Sequence, residues 1–195
     1  MKKILFLMMV LFNINANAQY FTLSKNGLHP SNDPTKKFIV IEKEGKNQSE
    51  LFKQIKDFIT ENYVSPKDVM SENGNEMITL NAVSDGDVQC KVGFAMLPLK
   101  TNYSITFMFK DGKIRVNTPS INSMLGESYT IGGQLSELYE LVYTDDDQTS
   151  PNRKTITIFK KNGKTTKGAK ESIELFFNTL IDKAVNYKSN NNEDW

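Results

Sequence analysis

The sequence predicts an α+β domain, an antiparallel sheet with two helices packed on one face. Three observations carry this. In 48–63, Leu51, Phe52, Ile55, Phe58 and Ile59 fall on one stripe at helical spacing. In 173–184, Ile173, Phe176, Phe177, Leu180, Ile181 and Ala184 form a second such stripe. Between them, several segments alternate apolar and polar residues with period two, the pattern of half-buried strands.

Taken in order, Phe38-Ile39-Val40-Ile41 reads as a strand, because β-branched and aromatic residues crowd it. Asn47 is a good helix N-cap, and Glu50 three residues on completes a capping box. Lys53, Gln54, Lys56, Asp57 and Glu61 are expected to face water, and Ser65-Pro66 stops the helix. Met77–Val83 and Val88–Met96 read as two strands joined by a turn at Ser84-Asp85-Gly86-Asp87, with Pro98 ending the second. Tyr103–Phe109 and Ile114–Val116 form a hairpin around Asp111-Gly112, where glycine tolerates positive φ. Thr118–Pro151 reads as a long loop insertion, with Leu135, Leu138, Tyr139 and Val142 at helical spacing inside it. Lys154–Phe159 is a further strand, and Lys160–Lys170 a basic linker into the last helix.

The start of the chain carries an address. Lys2 and Lys3, the apolar run Ile4–Phe12 and Ala16-Asn17-Ala18 have the order of a cleaved secretory signal. The run is too short for a membrane span, and nothing later is apolar enough for one. The expected organisation is a signal peptide at 1–18, a flexible leader at 19–36, one domain at 37–188 and a disordered tail at 189–195. Localisation is then periplasmic, cell-surface or extracellular.

Formal charge is +1 and becomes −1 once Lys2 and Lys3 are removed, which opposes a nucleic-acid role. The one cysteine, Cys90, has no partner for an internal disulfide. Its alternating surroundings read as the core face of a strand. The one histidine, His29, precedes the domain, so a serine–histidine arrangement is not available. No histidine–cysteine cluster suits zinc, and Gly132-Gly133 lacks the lysine of a phosphate loop. Asp145-Asp146-Asp147 lacks the glycine-bent spacing of a calcium loop and reads as a solvated charge run. Lys160, Lys161, Lys164, Lys167 and Lys170 are a basic run suited to phosphates or lipid headgroups, or simply to a soluble surface. Glu127, Glu137 and Asp145 are the carboxylates that sequence alone leaves free to meet.

The helix residues Leu51, Phe52 and Phe58, with Phe107, Phe109, Asp111, Gly112 and Arg115 of the hairpin, give the chain a family likeness. It resembles a bacterial family of exported domains of unknown function assigned a fold like that of the TATA-box-binding protein. The likeness covers about Phe38–Pro119, with the closing helix as weaker support. It implies that fold and brings no catalytic residue and no cofactor. The long insertion departs from the family pattern.

These readings lead to an exported, noncatalytic binding or interaction module of the bacterial envelope. Its expected partner is an envelope protein or a glycan, met through the 118–151 loop. The alternative is a periplasmic hydrolase using carboxylates of that loop. Intact-mass analysis of the exported protein should show a chain starting at Gln19; one starting at Met1 overturns the compartment reading.

Overall fold

The alternation in residues 77–110 forms a single long ladder. β5 (Met77–Val92) and β6 (Ala95–Lys110) pair antiparallel along nearly their whole length. The turn expected at Ser84–Asp87 is instead a bulge inside β5: Asp85 pairs with Lys100, and Val88 pairs next with Leu99. Two extra residues, Gly86 and Asp87, are thus accommodated. Because the insertion is of two, the alternation is not inverted, and Val88 and Cys90 stay on the buried face of Ile78, Leu80 and Ala82. Gly86 takes the positive φ, and the Ser84 hydroxyl donates to the Asp87 carboxylate across the bulge. Pro98, expected to end its strand, lies within β6. Its missing N–H falls on the edge facing away from β5, beyond the first pair made there, so no ladder bond is lost.

The computed structural model describes residues 18–129, 133–148 and 150–188. Residues 1–17 of the expected signal, the expected 189–195 tail and Gly132 lie outside them. β6 divides its other edge. Its C-terminal part pairs with β7 (Lys113–Asn117) through the Asp111-Gly112 hairpin, and β7 pairs with β3 (Phe38–Glu42). Its N-terminal part pairs with β8 (Ser120–Tyr129), followed by β9 (Leu135–Thr144) and β10 (Lys154–Phe159). The short β4 (Met70–Asn73) lies on the far edge of β5. The region expected as a loop insertion at 118–151 is therefore largely two sheet strands. The helical spacing of Leu135, Leu138, Tyr139 and Val142 comes from β9 having apolar residues on both faces. The sheet is also not wholly antiparallel, since β10 runs parallel to β9.

The β8–β10 wing curls. The Thr166 N–H donates to the Ile158 carbonyl, and the Lys91 N–H donates to the Lys167 carbonyl, each at 2.9 Å. Residues 166–167 thereby connect β10 back to β5. Val88, Cys90, Leu97, Leu99, Met124, Leu141 and Ile158 fill the interior of this curl. Gly126 fits there without displacing its neighbours, since a Cβ would sit 2.7 Å from a Leu97 methyl and 2.9 Å from a Leu99 methyl.

α1 (Gln48–Asn62) and α3 (Ala169–Val185) cover the buried face, and a single-turn α2 (Pro66–Val69) leads into β4. The capping box forms as the sequence predicts: Asn47 Oδ1 accepts the Glu50 N–H at 3.0 Å, and the Glu50 carboxylate accepts the Asn47 N–H at 2.7 Å. Gln54 departs from expectation. It is buried, and its amide donates to the Ala184 and Val185 carbonyls at 3.2 and 2.7 Å. It thereby satisfies carbonyls that the end of α3 leaves without helical partners.

The leader, expected as flexible, holds a hairpin packed on α3. β1 (Phe21–Ser24) and β2 (Gly27–Pro30) form a hairpin that buries Phe21, Leu23 and Leu28. Asn178 of α3 accepts the Phe21 N–H at 2.8 Å and donates to the Phe21 carbonyl at 2.9 Å. Glu174 accepts the Leu23 N–H at 2.7 Å. α3 thus contacts both the hairpin and the sheet. Phe58 lies in the α1 stripe, edge-on to Tyr187 at 5.6 Å. Phe58→Ala should lower stability by about 3–5 kcal/mol. A denaturant-melting loss below about 1 kcal/mol would contradict the packing of α1.

Candidate functional site

The β5 edge that faces away from β6 is covered only in parts. The Glu76 carbonyl accepts the Phe109 N–H across the ladder. Even-numbered residues at the start of β5 therefore direct their main-chain groups at β6, and odd-numbered ones point away from it. Met77 and Thr79 meet β4, whose last pair is Met70 with Leu80. Past the bulge, the Gln89 N–H donates to the Ser172 hydroxyl at 2.8 Å, and the Lys91 N–H reaches Lys167. Among the described residues, no strand pairs with this edge between those two stretches. The main-chain N–H and C=O groups of Val83 and Asp85 point into that gap.

The gap is the floor of a cleft of about 840 Å³. One wall is the end of α1 and the turn after it, with Tyr63, Val64 and Val69. The other is α3, which presents Leu175, Phe176 and Lys183. Leu175 and Val83 are both exposed, so apolar surface stands open at the rim. Apolar walls around a few polar groups are the usual make-up of a ligand cleft.

Two phenols meet inside it. The Tyr63 and Tyr103 hydroxyls lie 2.9 Å apart. Burial raises the pKa of both above the ordinary tyrosine value; in Tyr63 the Tyr103 hydrogen bond opposes the shift and the Asp87 charge adds to it. Both phenols are therefore protonated at neutral pH. One proton fills the hydrogen bond between them, and the other is available to an acceptor in the cleft. Asp85 and Asp87 of the bulge line the same space, with the Asp87 carboxylate already accepting from Ser84. Bulges commonly re-aim side chains in this way beside functional sites.

The residues singled out in the sequence do not assemble into a catalytic group. Ser128 pairs with Glu137 and Leu138 pairs with Glu127, so Glu127 and Glu137 lie on opposite faces of the sheet. Glu137 instead accepts from Lys154 and Tyr139, which hold its carboxyl below the usual range. Asp145 accepts the Lys161 N–H at 3.2 Å. His29 lies in β2, its Nδ1 3.1 Å from the Pro30 carbonyl oxygen. Among the described residues, no three His, Cys, Asp or Glu side chains are placed to hold a metal ion. No helix among them is long and apolar enough to cross a membrane. No described residue of the 118–151 segment, the expected contact region, lines the cleft. Sequence reasoning missed the site, although its signal was present. The Ser84–Asp87 run interrupts an alternation whose parity continues unchanged at Val88 and Cys90, which marks a bulge.

No protein-family model matches the chain, and no curated protein matches it. Among solved structures, the chain is similar to a TBP-like protein from Parabacteroides distasonis. The TM-score is 0.44 at 14% sequence identity, over 77% of this chain and 92% of that one.

Cys90 lies buried inside the curl, and burial pushes its thiol up to about 11. Little thiolate is present at neutral pH, so the thiol is a core residue and not a nucleophile. Iodoacetamide at pH 7 should leave the native protein unmodified and label it once unfolded. Rapid labelling of the native protein would contradict this burial.

Proposed function

We propose that the protein is an exported, noncatalytic interaction module of the bacterial envelope. It captures a short extended segment of a partner protein in the cleft between α1, α3 and β5. The observation that carries this reading is the open stretch of β5 edge at Val83 and Asp85. A sheet edge presents a row of donors and acceptors, and an added strand satisfies them. The walls set by Val69, Leu175 and Phe176 offer apolar contact to alternate side chains of the incoming segment. The free phenolic proton of the Tyr63–Tyr103 pair supplies a donor at the side.

The bulge limits the length of such a segment. Beyond Asp85 the edge turns away and is taken up by Ser172 and Lys167. Asp85 and Asp87 also guard the edge against unspecific pairing with another copy, a usual role of charge and bulges at sheet edges.

Val83→Pro tests the reading directly. It removes the one N–H at the centre of the open edge and spares the ladder with β6, on whose side Val83 makes no main-chain bond. Extended peptides enriched from a displayed library on the wild-type protein should bind the variant at least roughly tenfold more weakly, a loss of about 1.4 kcal/mol. Cooperative melting of the variant confirms that it still folds. Bound peptide should also slow exchange of the Val83 and Asp85 amides. Equal peptide binding by the variant, or enrichment of saccharides and not peptides, overturns the proposal.

A further inference from the structure

The β5–β6 hairpin ends in Gly93 and Phe94, and the Phe94 side chain is fully exposed. Met96 is half out in solvent beside it. β8 is antiparallel to β6, and its last pair with it is Gly126 with Leu99, so residues beyond Gly126 run toward the same tip. They bring Leu135, which is exposed, to that end of the sheet, while the hydroxyl of its partner Tyr129 turns back along β8 to donate to the Glu127 carboxylate. One end of the molecule therefore presents an aromatic point with apolar neighbours, away from the cleft described above.

Cations surround this point. Lys91, Lys160 and Lys161 line an open depression of about 580 Å³ together with Val92 and Gly93, which directly precede Phe94. Lys167 is fixed beside them by its carbonyl bond to the Lys91 N–H, and Lys164 by its carbonyl bond to the Lys160 N–H. All five lysines are exposed. Acids oppose them, the exposed Glu127 on β8 among them. Asp145 accepts the Lys161 N–H, and Asp146 lies 3.5 Å from the Lys161 ammonium. The local balance is positive although the whole chain is near neutral.

We propose that this end docks on a bilayer bearing anionic lipids. Phe94 enters the interfacial layer, and the lysines face the phosphate headgroups. A phenyl ring held in water gains by transfer to that layer, and aromatic side chains favour it. Lysines beside an anionic leaflet add an attraction that salt screens. A single inserted ring and a cationic rim give reversible attachment, not anchoring. The inference is independent of the peptide reading, since neither Phe94 nor these lysines line the cleft.

The test places a fluorophore at the tip. In the chain from Gln19 onward carrying Phe94→Trp and Trp195→Phe, the emission reports this position alone. Vesicles of phosphatidylcholine with phosphatidylglycerol should shift the emission to the blue, and high salt should reverse the shift. Vesicles of phosphatidylcholine alone should leave it unchanged. Adding Lys91→Glu and Lys161→Glu should weaken the effect at least roughly tenfold. Free glycerol phosphate should neither produce the shift nor compete for it. No shift on anionic vesicles, an equal shift on neutral ones, or competition by free glycerol phosphate overturns the proposal. So does a shift that follows protein concentration without lipid, which would mean that a second copy covers the tip.

Discussion

Tyr103 is where the separate parts of this fold are held together. It lies on β6 at the register shift with β8, where Asn102 pairs with Ser123 and Tyr103 pairs next with Ile121. Here β6 passes from one set of neighbours to another, from β8 to β7. The ring packs edge-on against Phe176 at 5.3 Å and Phe177 at 5.6 Å, which fixes α3 across the sheet. Such ring pairs add about 0.5–1.5 kcal/mol each beyond the area they bury. A hydroxyl buried this deeply costs about 1–3 kcal/mol if left without a partner. Its bond to Tyr63 avoids that cost and ties down the end of α1. One side chain thus sets the position of both helices, and with them both walls of the cleft.

The same logic recurs at two buried amides. Gln54 completes the end of α3 from α1, and Asn178 completes an edge of the β1–β2 hairpin from α3. Each is a polar residue on a helix otherwise packed by apolar ones. Each satisfies main-chain groups that burial would otherwise leave unpaired. These ties join α1, α3 and the hairpin into a single unit without a disulfide.

Much of this architecture is legible in the sequence where one rule acts locally. The Asn47–Glu50 capping box, the α1 stripe and the Asp111-Gly112 hairpin depend only on near neighbours, and each forms as read. The β8–β9 pair is not legible, for a physical reason. β8 uses Gly126 as a buried position because Leu97 and Leu99 occupy the space a side chain would need, so the apolar signal of a strand is missing there. β9 has the opposite fault, since apolar residues on both faces imitate helical spacing. The buried role of Gln54 is not legible locally, because its partners lie 130 and 131 residues away. The cleft was hidden most deeply. Its walls come from elements that could be read and the bulge in its floor is marked at Ser84–Asp87, but its open edge exists because β4 begins only at Met70, opposite Leu80, and no local pattern records how far along β5 that neighbour reaches.

The attachment of the first hairpin to the last helix has a consequence for how the chain comes to be made. Phe21 and Asn178 are 157 residues apart. A ribosome adding about 5–20 residues per second needs on the order of 8–30 s between them. Throughout that interval the hairpin has been synthesised but lacks the helix that shields it, and Phe21 and Leu23 face whatever lies near the emerging chain. Long-range closure of this kind also slows folding in general. Newly made molecules therefore spend their early life open, with the N-terminal strands free, and acquire their final shape only when the last helix arrives.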